Sequence, residues 1–181
     1  MDKRKEANIR VKSSITNALF SLMHVKSLSK ITITEIIKMA NVARVSFYRN
    51  YSSKEDVLVT LVRDVLDNFK NTADYDLSLY YQRKHIVRAF EYFQKYKQYI
   101  LDLYHSGFGT MFLEELNLFH ESIAGSIPAG SPKRYELYVY IGALYNTGIA
   151  WLLEEHPAPI EDVADIMLQY TNHNHLPIEW H

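Results

Sequence analysis

Cysteine is absent from the 181 residues. That excludes a disulfide framework, a thiolate zinc site and a cysteine nucleophile. No apolar run approaches the roughly 20 residues needed to span a bilayer, and the basic start MDKRKEANIRVKSS lacks the apolar stretch of a secretory signal. The expected location is the cytoplasm, with no membrane partner. There is no β-alternating run of any length, no internal repeat, no Gly-rich phosphate loop and no Gly-x-Ser-x-Gly elbow. His120-Glu121 opens like a zinc-protease signature, but Ala124 stands where the second histidine is required. Glu114-Glu115 and Glu154-Glu155 are adjacent on predicted helices, so they do not face each other and read as surface charge. His173, Asn174, His175 and His181 read as a solvated tail. No catalytic residue, cofactor or metal site is assigned.

A hydrophobic content of 48% suits a globular protein with a sizeable core. The formal charge of −1 hides an asymmetry. Residues 1–54 hold 11 of the 20 Lys and Arg against only Asp2, Glu6 and Glu35, a net +8, whereas the remainder carries −9. One end is suited to a polyanion and the other is not.

Helical periodicity runs through almost the whole chain. Ile15, Leu19, Leu22 and Met23 predict a first amphipathic helix over 6–26. Thr32 and Glu35 have the spacing of a capping box, opening a helix that turns Ile33, Ile36, Ile37 and Ala40 inward. Asn41 tolerates the left-handed conformation of a tight turn, and a short helix follows over 43–50. Ser52 and Ser53 cap a longer helix whose stripe is Val57, Leu58, Leu61, Val62, Val65 and Phe69. After a polar, aromatic connector, helices are predicted near 83–94, 96–106, 109–124, 132–155 and 160–172. Ser131 is the expected cap of the fourth of these, with Pro132 at its first position. The fold class is all-α: a three-helix head with its connecting helix over 1–70, then a second helical domain over 71–181.

Two helices joined by a three- or four-residue turn, the second short and polar-edged, make a helix-turn-helix. The second helix of such a unit enters the major groove, and its N-terminal side chains meet base edges. Arg44 has the forked donor geometry for a guanine, and Val45 suits a thymine methyl. Ser46, Tyr48 and Asn50 can donate to flanking phosphates, with Arg49 a further candidate. Thr32 and Lys54 each stand at a helix N-terminus, where open N–H groups favour a phosphate. Lys3, Arg4 and Lys5 suggest a basic arm. Phe47 and Tyr51 are assigned to packing.

The run from Thr32 to Leu58 also resembles the DNA-binding region of the TetR/AcrR family of bacterial transcription regulators. The matching positions are Thr32, Ile33, Ile36, Ala40, Val42, Ser46, Phe47, Tyr48, Ser53, Lys54 and Glu55. Ile37, Asn41 and Ala43 depart from the family's Ala, Gly and frequent Ser. The resemblance covers residues 8–65 and continues more weakly into a C-terminal half like the small regulatory domain of Firmicutes-type members. It implies a homodimer on double-stranded operator DNA, with the C-terminal helices supplying the dimer interface and an effector pocket.

On its own residues, the C-terminal half offers two features. Small residues in the penultimate helix admit a close neighbour, so Tyr138, Gly142, Tyr145 and Gly148, with Val163 and Met167 of the last helix, are the expected dimer interface. Tyr92, Phe93, Tyr96, Tyr99, Phe108 and Phe112 are the expected walls of an effector pocket for a planar or amphipathic small molecule. The function expected is transcription regulation, a repressor released by such an effector. The alternative is a DNA-binding co-regulator or activator whose C-terminal domain binds a partner protein.

Overall fold

The computed structural model describes residues 3–171; the histidines at 173, 175 and 181 lie outside them. Among the described residues there is no strand, and nine α-helices follow one another: α1 (Lys3–Met23), α2 (Ile33–Ala40), α3 (Arg44–Asn50), α4 (Lys54–Asn71), α5 (Arg83–Lys95), α6 (Lys97–His105), α7 (Gly109–Ile123), α8 (Pro132–Leu153) and α9 (Ile160–Thr171). None of these helices is long and apolar enough to cross a membrane.

The local causes are mostly those legible in the sequence. The Thr32 hydroxyl accepts from the Glu35 N–H, and the Glu35 carboxylate accepts from the Thr32 N–H at 2.9 Å, so two orphan donors are satisfied reciprocally. Asn41 ends α2 in the left-handed region, at φ 51° and ψ 48°. Its short polar side chain tolerates that conformation where a branched residue would clash.

Three expectations need correction. Helix α1 is shifted toward the N-terminus, so Lys3, Arg4 and Lys5 form its first turn instead of an extended arm. It also stops at Met23: Val25 is 83% exposed and gains no burial that would hold another turn, and its N–H reaches only three residues back, to Leu22. At α8, Pro132 takes the first helical position as expected, but the Ser131 hydroxyl does not cap the helix. It donates backward to the Pro128 carbonyl at 2.8 Å and closes the preceding turn instead.

Helices α1 to α3 pack around Ile15, Leu19, Ile36 and Phe47, all fully buried, with Leu58 of α4 completing the cluster. Helix α4 then runs on against α7. There Arg63 grips Glu115 with two parallel bonds, Nε to Oε2 at 2.8 Å and Nη2 to Oε1 at 2.7 Å. Glu115 is therefore a buried, paired carboxylate and not surface charge: α7 turns it toward α4, where a guanidinium offsets its desolvation. The C-terminal helices stack as α5 on α9 and α7 on α8, with Leu137, Ile141 and Leu144 of α8 wholly inside.

Candidate functional site

Helix α3 is seven residues long and anchored by one side chain. Phe47 is completely buried, and its ring lies edge-on to Tyr48 at 5.4 Å and tilted to Tyr51 at 5.7 Å. Burying such a side chain contributes about 2–3 kcal/mol and leaves the opposite face of the helix outside. On that face Val45 is 66% and Tyr48 48% exposed, with Arg44 and Arg49 also exposed. Arg44 and Tyr48, one turn apart, touch: Nη2 donates to the phenolic oxygen at 3.3 Å, and the guanidinium sits 5.4 Å from the ring centre. A forked cation, an apolar methyl pair and a phenol thus lie on a single solvent-facing surface.

The other predicted contacts are differently placed. Asn50 Nδ2 donates to the Ser46 carbonyl at 2.8 Å, within its own helix, and Ser46 is half-buried. The Thr32 hydroxyl, while accepting from Glu35 N–H, donates to the Glu35 carboxylate at 2.8 Å. That carboxyl is held down at a pKa of about 2, chiefly by Lys26 and then by Thr32. The Lys54 ammonium turns inward, donating to the carbonyls of Leu28 at 2.6 Å, Ile31 at 2.8 Å and Ser29 at 3.3 Å. It satisfies the 3-10 turn Leu28–Lys30 that feeds α2. Lys54→Met should therefore lower stability by about 1–3 kcal/mol in denaturant unfolding, since three carbonyls, two of them in part-buried bonds, lose a charged donor. A lysine serving only phosphate would leave unfolding unchanged, and an unaltered midpoint would restore that role.

A cavity lies where α4 meets the C-terminal helices, with about 660 Å³ of empty space, its open mouth included. Tyr92, Phe93, Tyr96, Tyr99 and Phe112 of the expected set line it; Phe108, the residue before α7, does not. Residues the sequence did not assign to a pocket complete the wall, among them Leu61, Val65 and Phe69 from α4 and two histidines, His85 and His120. Both histidines are almost wholly buried. Each occupies an apolar stripe position (His85 with Ala89 and Phe93, His120 with Leu116 and Ile123), a periodicity that was legible in the sequence. Burial holds their pKa values at about 3 and about 4, so both rings are neutral near pH 7. Among the described residues no three His, Asp or Glu side chains gather to hold a metal.

No family model matches the sequence, and no curated protein does either. Solved structures do. A TetR transcriptional regulator from Streptococcus agalactiae 2603V superposes over 93% of this chain and 97% of its own, with a TM-score of 0.64 at 24% identity. The dihydroxyacetone kinase operon activator DhaS matches over 89% and 93% (TM-score 0.57, 12% identity), and a TetR regulator from Rhodococcus sp. RHA1 over 90% and 93% (0.54, 16%). The chain has the TetR-regulator fold.

Within this TetR fold, the residues expected at a dimer interface divide. Gly148, Val163 and Met167 are buried inside the single chain. A Cβ on Gly148 would stand 2.1 Å from Cε2 of Phe93, so the small residue admits an aromatic ring of the same chain and not a second copy. Tyr138 is half-buried and bonded to Arg134 and Glu121. Tyr145 packs on Phe112, and a Cβ on Gly142 would meet nothing within 4 Å. The apolar surface that does face water is a different stripe: Tyr135, Val139 and Leu153 of α8, with Ile166 and Tyr170 of α9. Helix α8 is apolar on both sides, so small residues alone do not say which of its faces meets a neighbour.

Proposed function

We propose that the chain is a sequence-specific DNA-binding transcription regulator. Its head, residues 1–70, reads duplex operator DNA, and residues 71–181 carry dimerisation and regulation. The observation that supports this best is the solvent-facing surface of α3, with Arg44, Val45 and Tyr48 unobstructed on a helix fixed by Phe47 and the Asn41 turn. The concentration of positive charge in residues 1–54 favours the same reading. Two copies pair through the exposed stripe on α8 and α9, since a two-fold axis brings the same apolar side chains of both copies together and removes them from water. The cavity receives a small effector, and the protein acts as a repressor that this effector releases.

Selection of bound fragments from genomic DNA tests the reading directly. A bidentate Arg–guanine contact is worth about 1–3 kcal/mol of discrimination. Arg44→Ala should therefore relax the selected sequence at one symmetric pair of positions while leaving the remainder unchanged. No enriched sequence for the wild type, or an identical profile for the variant, would defeat the proposal or remove Arg44 from it.

A further inference from the structure

The cavity has carbon walls almost throughout, yet two of its lining groups are polar and unmatched. Nε2 of His85 and Nε2 of His120 are both buried, and neither has a hydrogen-bond partner in the protein. Two of the lining phenols are already engaged, Tyr92 donating to Asn68 Oδ1 at 2.8 Å and Tyr99 to Asn17 Oδ1 at 2.9 Å, whereas the buried Tyr140 hydroxyl, on a ring 5.7 Å from that of His120, has no partner. A buried donor or acceptor left unpaired is costly, and native folds leave few of them.

The other nitrogen of each ring decides what the free one offers. His120 Nδ1 lies 2.8 Å from the Leu116 carbonyl oxygen, which can only accept, so Nδ1 holds the proton and Nε2 presents a lone pair. His85 Nδ1 lies 3.4 Å from the Tyr75 hydroxyl. A phenol can donate to that nitrogen or accept from it, and where it donates, His85 Nε2 carries the hydrogen. The ring centres are 5.7 Å apart. With that tautomer the two rings offer one donor and one acceptor beside an otherwise apolar chamber.

No Lys, Arg, Asp or Glu is among the lining residues. The Arg88 guanidinium lies over the ring of Phe69, outside the wall, and its Nη2 donates to the Phe69 carbonyl and the Thr72 hydroxyl while its buried Nε has no partner. An ionised head group would enter without a counter-charge on the wall. We infer that His85 and His120 together recognise the uncharged hydroxyl or amide head of an otherwise apolar small molecule, the head donating to His120 and accepting from His85. This rests on the reading of the cavity as an effector site and names the class of ligand that the site takes.

Three probes test it on the full chain without DNA: para-propylphenol, propylbenzene and, at a pH where it is ionised, para-propylbenzoate. Calorimetry should show the phenol binding about tenfold or more tighter than the hydrocarbon, because only the phenol satisfies both nitrogens, and the benzoate binding weakest. Nitrogen NMR of the wild-type imidazoles should shift both Nε2 signals with the phenol and neither with propylbenzene. In His120→Phe, near in size and lacking the nitrogen, the preference for phenol should collapse with the hydrocarbon affinity retained. Equal binding of phenol and hydrocarbon overturns the head-group assignment and leaves the cavity reading intact. Failure of all three to bind overturns both. A spectrum in which the buried Tyr140 hydroxyl, itself without a partner, already bonds His120 Nε2 also overturns the assignment. Operator binding enters none of these outcomes, so failure of the DNA reading remains separable.

Discussion

Between pH 7 and pH 5 the protein is expected to lose stability on the order of 2–4 kcal/mol, at about 1.4 kcal/mol per unit of pKa displacement. The source is His85 and His120. Desolvation is the main cause of both depressed values, helped at His85 by His120 and Arg88, and opposed at His120 by its bond to Leu116. The sign follows from which state binds the proton. Above the ordinary value of 6.5 both rings are neutral in both states, and pH has no effect through them. Below it the unfolded chain takes up protons that the fold refuses, so stability falls until the folded rings titrate at about 4 and about 3. Carboxylates with lowered pKa values, such as Glu35, Asp56 and Asp165, act only below their ordinary range near 4. The window between pH 6.5 and 5 therefore isolates the histidines. Urea midpoints across that window should fall for the wild type and level out for a His85→Phe/His120→Phe double variant. A flat wild-type profile would mean that the rings are not buried as described.

Gly148→Leu should destabilise the fold by about 1–3 kcal/mol through overpacking and close the cavity, without changing association. The new side chain would begin inside the space of the Phe93 ring, whose Cε2 and Cδ2 stand 2.1 and 2.4 Å from the added Cβ. Phe93 already lines the cavity, and that empty volume is where the ring has room to go. Val139→Asp has the opposite signature: a charge on the exposed stripe of α8 should leave the melting of one chain nearly unchanged and dissociate the pair in sedimentation at micromolar concentration. If Gly148→Leu separates the copies and Val139→Asp does not, the faces of α8 have been assigned the wrong way round.

The two faces of α8 show where the sequence was legible. Caps and turns are local chemistry, and Thr32 with Glu35, the Asn41 turn, Ser53 before α4 and Pro132 could be read from neighbours four residues apart. Phe47 and Tyr51 were readable as packing because a short helix needs an anchor. Helix α8 was not, since a helix apolar all round gives no phase, and glycine marks close approach without saying what approaches. The bonds of Lys54 were not legible for a related reason: position at a helix start says nothing about which way a long side chain folds, and here it reaches three carbonyls 23 to 26 residues earlier. Glu115 was assigned to the surface because adjacency to Glu114 was judged without its partner, Arg63, 52 residues away. The histidines needed only the helical period already in use, applied to residues considered as ligands before being considered as core.

Helix α4 has a mechanical consequence. Its 18 residues make a rod about 27 Å long at about 1.5 Å per residue. One end walls the cavity with Val65 and Phe69, and the other holds, through Lys54, the turn that leads into α2. A rod of that length gives leverage: tilting it by about 5° about its cavity end carries the other end about 2 Å. A repacking of side chains behind Phe69 too small to alter any other helix would thus arrive magnified at the recognition surface, and the Lys54 clasp ensures that α2 and its turn move with the rod instead of slipping past it.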